Sequence, residues 1–363
     1  MTPQNIMKRP TLNNSSTNYL KIKSEKYRPS PSKEGKLRFD LVEGLWEKGS
    51  IATLPDRTSS SLKKALSKYL DVSEINISTF SGADEIIELI PRLYVDGGDN
   101  VLVITPTFER LLTTNQKVGA KVISFPLSSA NNFSFTKLVL SSFLETVKKV
   151  DPKVIWLSNP NNPTGRIIGK KDIENIAKKF PSTPIVVDEA YQEYFSLDNA
   201  DSLTSSVNKY PNILVIRTFS KALGYASVRV GYLVASQEVI SVVEKMRTMY
   251  NLSTFAQNKA TRALIGSNIR RVKGKISKIT SERNEIEKNL NSLNNFDYIS
   301  GSKTNFIFLR HHTKDLFDEL YKRGVVVGDW RTAEGVESQG FVRLSINKPV
   351  LNRQLISILR SIN

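Results

Sequence analysis

Two cations stand where an apolar run gives out. After NILVI (212–216) the chain reads RTFSKALGYASVRVGY (217–232), with Lys221 just beyond the run and Arg229 eight positions later. A lysine amine held there can act as a nucleophile or carry a proton, and a guanidinium can hold a phosphate or carboxylate. Other chemistry-bearing residues follow other apolar runs. VLVIT (101–105) leads into PTF, with Phe108, and KVIWLS (153–158) into NPNNPTG, with Asn162. PIVV (184–187) leads into DEAY, with Asp188 and Tyr191, and SGADE (81–85) opens a helical pattern with Ala83, Asp84 and Glu85. Each has an ordinary reading alone: a solvated lysine, a turn-rich loop, an acid-rich first helical turn.

One chemistry uses all of them. A lysine amine condenses with the aldehyde of pyridoxal phosphate, and a carboxylate beside the ring nitrogen keeps the pyridinium protonated as an electron sink. On that reading Lys221 holds the aldehyde and Asp188 is the ring acid. Asn162 and Tyr191 donate to the phenolic oxygen, and Phe108 lies against the ring. The phosphate takes the helix start at Ala83, Asp84 and Glu85, the hydroxyls of Thr218 and Ser220, and the charge of Arg229.

These residues need a sheet whose strand ends converge. In open α/β sheets ligands bind beyond the carboxyl ends of the strands. The runs at 101–105, 121–125, 153–158, 184–190, 212–219 and 230–235 read as strands. Several are apolar on consecutive positions, as in a parallel sheet covered on both faces. Helical patterns at 59–70, 81–94, 140–150 and 169–180 intervene. The fold class is therefore α/β, a doubly wound, mostly parallel sheet. A long charged helical region at 258–293 follows. TNFIFLR, GVVVGDW and FVRLSI then read as strands of a smaller α/β unit with a mixed sheet, with TKDLFDELYKRG and NRQLISILRSI as helices. The expected organisation is an N-terminal arm (1–40), a large cofactor-binding domain (41–250) and a small C-terminal domain (251–363).

Composition narrows the chemistry further. The 363 residues include no cysteine and only two histidines, the adjacent His311 and His312. Thiolate chemistry is excluded, and the histidine pair suits neither a metal centre nor a catalytic triad. The net charge of +17 is spread along the chain without a nucleic-acid-binding motif, so a small anionic ligand is expected and nucleic acid is not. The N-terminus has no continuous apolar stretch of the signal-peptide kind, and a flexible arm is expected. No run reaches the length of a membrane span, so a cytoplasmic protein is expected.

In order and spacing, SGADE, PTF, NPNNPTG, DEAY, RTFSK and RVGY resemble the fold-type I, class I/II aminotransferases, nearest the histidinol-phosphate aminotransferase branch. The resemblance runs from about residue 35 to the C-terminus. It implies a homodimer with active sites at the subunit interface, and it makes Arg343, in FVRLSI, the clamp for a substrate carboxylate. The substrate side departs from the branch. Of its NENP-like string only Glu43 survives in DLVEGLWE, a candidate contact for a basic substrate side chain. Its YPD tyrosine is Leu54, and its arginine after the GVVV run is Gly328, with Arg331 nearby as a possible substitute. The expectation is transamination of a free amino acid. The rival is another pyridoxal-phosphate reaction (decarboxylation, elimination, cyclisation or oxidation) on the same scaffold. A non-enzymatic regulator is disfavoured by the intact Lys221 and the lack of a DNA-binding module.

Overall fold

The computed structural model describes residues 11–13 and 54–363. Seven strands form the larger sheet: β1 (Ile77–Phe80), β2 (Asn100–Thr105), β3 (Lys121–Pro126), β4 (Val154–Ser158), β5 (Ile185–Asp188), β6 (Ile213–Thr218) and β7 (Gly231–Val234). Their order is β1-β7-β6-β5-β4-β2-β3. The strands from β3 to β6 pair in parallel, whereas β7 runs antiparallel to both β6 and β1.

Alternation along the strands sends side chains into two apolar layers. Leu102, Ile104, Ile155, Leu157, Val187 and Val215 pack against the helices Ser60–Leu70, Lys137–Val150 and Lys170–Lys179. Val101, Val103, Trp156, Val186, Leu214 and Ile216 pack against Ala83–Tyr94, Arg110–Lys117 and Gln237–Met246. Both layers are packed with apolar side chains, so the strand ends are the places where polar side chains reach a ligand.

The smaller sheet is β8 (Phe296–Tyr298), β9 (Phe306–His311), β10 (Gly328–Asp329) and β11 (Val342–Ser345), in the order β10-β11-β9-β8. All three of its pairings are antiparallel, so it is not the mixed sheet the sequence suggested. Ile307, Leu309, Val342 and Leu344 pack on Ile286, Leu320, Ile356 and Leu359 from three helices. Phe308 and Phe341 stack at 4.5 Å between centroids and meet Phe133, which joins the two sheets along an apolar seam.

Two other expectations change. The run GVVV is not a strand: Val326 is 80% exposed, and pairing begins only at Gly328. The helical region at 258–293 is two helices, Thr254–Ala263 and Gly266–Leu290, separated by the extended backbone of Ile265. The antiparallel strand β1 and the helix Arg110–Lys117 also join the expected elements.

Candidate active site

The ends of β2, β4, β5 and β6 meet the first turn of the helix Ala83–Tyr94 around a cleft with about 520 Å³ of unfilled space, part of it open to solvent. Ala83, Asp84, Phe108, Asn162, Asp188, Tyr191, Thr218, Ser220, Lys221 and Arg229 all line it. Ile87 and Ala190 complete the wall; being apolar, they gave no chemical signal in the sequence. Glu85 does not line the cleft. Its carboxylate turns back to accept the Ser81 N–H at 2.5 Å and the Asn251 amide at 3.2 Å, so its side chain serves the turn that starts the helix.

Asp188 closes β5 and is 6% exposed. Burial pushes its carboxyl up to about 6, although the Ala190 N–H (3.1 Å) and the nearby Lys221 both favour the ionised form. Lys221 lies one turn beyond β6, and its ammonium stands 5.4 Å from the centre of the Tyr191 ring. Tyr191 is held edge-on by Phe306, at 5.2 Å between centroids. The loop carrying Asn162 is tied to the one carrying Phe108, because the Asn161 amide donates to the Pro106 carbonyl at 3.1 Å.

At the helix start, Gly82 and Gly231 make room. Gly82 has φ +80, and a Cβ there would lie 2.4 Å from the Arg229 guanidinium. A Cβ on Gly231 would lie 2.5 Å from the Gly82 carbonyl carbon, so any side chain would push β7 off the helix start. Arg229 donates to Asp84 at 2.9 Å and to Ser220 Oγ at 3.3 Å. Ser220 N–H in turn donates to Thr218 Oγ1 at 3.1 Å. Helix N–H groups, two hydroxyls and a guanidinium thus converge, with a carboxylate opposite that guanidinium. This donor set fits a phosphate group at one end of the cleft, and Asp188 with Lys221 fits the ring and aldehyde of pyridoxal phosphate at the other.

Phe108 and Asn162 also line a second, outer cleft of about 1150 Å³, partly open, so the two spaces adjoin. Its far wall is the strand pair β10–β11 and the loop beyond β10, with Gly328, Asp329, Trp330, Glu334 and Arg343. Arg343 pairs with Gly328 across the strands and donates through Nη1 to Asn162 Oδ1. Its guanidinium carbon lies 5.2 Å from the Phe306 ring centre and 5.8 Å from that of Trp330. Arg331 is not in this wall. It is bound to Asp315 (2.8 Å), Asp318 (3.2 Å) and Asp329 (2.8 Å) and lies over the Phe317 ring. Glu43 falls outside the described residues, and Leu54 is 49% exposed.

Comparison with known proteins agrees with this geometry. The family model "Aminotransferase class I and II" matches residues 24–359. The histidinol-phosphate aminotransferase of Caldanaerobacter subterraneus subsp. tengcongensis is 32% identical over 324 residues, covering 89% of this chain and 87% of its own. The crystal structure of the enzyme of that name from Clostridium acetobutylicum superposes with a TM-score of 0.77 at 24% identity, over 85% of this chain and 90% of that one. The one from Sinorhizobium meliloti, solved in complex with pyridoxal-5'-phosphate, gives a TM-score of 0.71 at 25% identity over 86% and 84%. The match takes in both sheets and every strand end around the cleft, and the chain belongs to the class I and II aminotransferases, pyridoxal-phosphate-dependent enzymes of fold type I.

Proposed function

We propose that this enzyme transfers the α-amino group of a free amino acid to a 2-oxo acid, with the carboxylate of the substrate held by Arg343. The observation that carries this reading is the position of Arg343. Its guanidinium bonds to Asn162 in the wall shared by the two clefts and is steadied by two aromatic rings. A planar fork at that junction suits a carboxylate, and it orients the substrate carbon toward Lys221.

Bound pyridoxal phosphate supplies the electron sink for the carbanion formed when the substrate α-proton leaves. The residues of the chain do the rest. Arg229, Thr218, Ser220 and the first turn of Ala83–Tyr94 would hold the phosphate, and Phe108 would lie against the ring. Asp188 would face the ring nitrogen, where its buried carboxylate would favour a proton. Asn162 and Tyr191 would donate toward its phenolic oxygen. Lys221 would take the α-proton from the substrate carbon and hold it for return, as general base and then general acid.

The outer cleft favours an unphosphorylated substrate. Gly328 stands where the resemblance places a phosphate-binding arginine, and Arg331 is committed to three carboxylates. Glu109, Asp329 and Glu334 line the same space. Arg331 already takes up the charge of Asp329, which leaves Glu109 and Glu334 against Arg343, and that excess of acid opposes an anionic side chain and suits a neutral or cationic one. The reading includes a homodimer, as the family resemblance suggests, and a cytoplasmic setting; among the described residues no helix is long and apolar enough to cross a membrane.

Steady-state kinetics test the proposal, with a panel of free amino acids and histidinol phosphate each assayed for 2-oxo acid or ketone product. The expected outcome is a free amino acid with the highest kcat/KM. A higher kcat/KM for histidinol phosphate than for every free amino acid would overturn it.

A further inference from the structure

Behind the cleft, on the opposite face of the larger sheet, lies a buried ionic network that the chemistry above does not use. Side chains alternate across a strand. Asp188 and Thr218 face the cleft, so their neighbours Glu189 and Arg217 face away from it. Arg217 and Glu189 have no exposed surface, and Glu193 has 2%. Arg217 Nη1 donates to Glu189 Oε2 at 3.2 Å, and Nη2 to Glu193 Oε1 at 2.7 Å. Both nitrogens also reach Asn199 Oδ1, at 3.2 and 3.3 Å.

We propose that Arg217 is a positioning residue: through Glu189 and Glu193 it fixes the backbone that presents Asp188, Tyr191 and Thr218 to the cofactor. The proposal rests on the assignment of the cleft to pyridoxal phosphate. The connections are short. Glu189 follows Asp188, and its N–H also donates to the β6 carbonyl of Ile216 at 2.9 Å. Glu193 belongs to the four-residue helix Gln192–Phe195, which begins directly after Tyr191. Arg217 precedes Thr218. One guanidinium fork therefore joins the end of β5, the helix after it and the end of β6.

Stability alone is a poor reason for such a network. Two carboxylates share one guanidinium in a dry interior, and Glu193 Oε2 has no hydrogen-bond partner among the described residues. Buried ion pairs seldom stabilise a fold more than well-packed apolar residues would. What the fork provides is fixed geometry between three segments, and displacements of about 1 Å at a reacting centre can cost a hundredfold in rate.

Arg217→Lys keeps the charge but cannot reproduce two parallel donations to separate carboxylates. The expected result is a folded protein whose pyridoxal phosphate dissociation constant rises about tenfold or more. Its kcat should fall by at least as much, while KM for the amino donor stays within about twofold. Glu193→Gln is the second variant and carries the decision alone if Arg217→Lys does not fold. It preserves shape and the Arg217–Glu189 pair, and it should weaken cofactor binding severalfold and shift the absorption maximum of the bound cofactor through Tyr191. Unchanged cofactor affinity, spectrum and kcat in the folded variants would overturn the proposal, even if the melting temperature fell. Borohydride reduction of the wild-type protein with pyridoxal phosphate separates the two claims. Attachment at Lys221 upholds the cleft assignment whatever the variants do, and attachment elsewhere overturns that assignment and this proposal with it.

Discussion

Arg229 donates to the Asp84 carboxylate at 2.9 Å, at the end of the cleft where the helix Ala83–Tyr94 begins. The same carboxylate takes a second cation, Arg110, at 3.1 Å. A carboxylate therefore holds the guanidinium that the proposed phosphate site needs. Both members of the Arg229–Asp84 pair are close to half exposed, 44% and 46%, so solvent weakens their attraction and a phosphate can replace it.

Opposite effects of two substitutions follow from that competition. Arg229→Gln should weaken pyridoxal phosphate binding by about tenfold or more, the size of a lost charge-assisted contact. Asp84→Asn should tighten it a fewfold at low salt, and less at high salt, because a like charge beside the phosphate is removed. Fluorescence titration of the cofactor-free protein at two ionic strengths measures both. Weaker binding by Asp84→Asn would show that the carboxylate belongs to the phosphate site.

Asp188 makes stability depend on pH. Its carboxyl is pushed up to about 6 by burial, from an ordinary value of 3.8. The folded state thus binds the proton more tightly than the unfolded chain. The carboxyl favours folding below about pH 4, and that contribution is lost as pH rises through about 6. Asp188→Asn should remove the dependence, leaving the cofactor-free variant more stable than wild type at pH 7 by on the order of 2–3 kcal/mol. The same variant should lose turnover about a hundredfold, because a neutral amide does not hold the proton on the ring nitrogen. Urea unfolding at pH 4, 5, 6 and 7 checks the first expectation, and kcat the second. Parallel pH profiles for the two proteins would show that the Asp188 carboxyl binds its proton no more tightly in the folded protein than in the unfolded chain.

Removal of the proposed carboxylate clamp should act on KM. Arg343 does not line the cofactor cleft and meets it only through Asn162 and, by way of Phe306, Tyr191, so Arg343→Ala should leave pyridoxal phosphate bound. KM for the amino acid donor should rise about tenfold or more, the cost of a lost guanidinium–carboxylate contact. Arg343→Lys should recover only part of it, since an ammonium does not offer two parallel donors. Donor KM values for the three proteins decide the point, and an unchanged KM in Arg343→Ala would remove Arg343 from the substrate site.

The residues at strand ends were legible because chemistry and local pattern coincide there: Lys221, Asp188 and Asn162 each follow an apolar run that is a strand. Strand direction was not legible. A run buried on both faces, such as that around β7, reads alike whether its neighbours are parallel or antiparallel. The short β1 strand, with Ser78 and Thr79 in ISTF, lacks the apolar content that marks the others. Side-chain partners across the fold were also hidden. Arg331 looked available for substrate, but Asp315 and Asp318, on and beside the helix Leu316–Lys322, take it. The role of Arg217 depends on which face of β6 it occupies and on Glu193 meeting it there, and neither is visible in RTFSK.

The strictest test of the substrate reading is to put back the arginine that the resemblance places at Gly328. The site has space for one. A Cβ at Gly328 would be 3.4 Å from the Arg343 carbonyl oxygen and 3.4 Å from Trp330 Nε1, and the glycine does not use the left-handed backbone region. An arginine there would extend along the outer cleft, beside Asp329 and in the same wall as Glu334. It would offset part of the acidic lining and give a phosphate a charge-assisted partner. Gly328→Arg should therefore raise kcat/KM for histidinol phosphate about tenfold, equivalent to about 1.4 kcal/mol, and lower it for amino acids with cationic side chains. Pyridoxal phosphate affinity should not change, since Gly328 does not line the cofactor cleft. If kcat/KM for histidinol phosphate stayed flat while the folded variant bound cofactor normally, the outer cleft would not be where the distal end of the substrate lies.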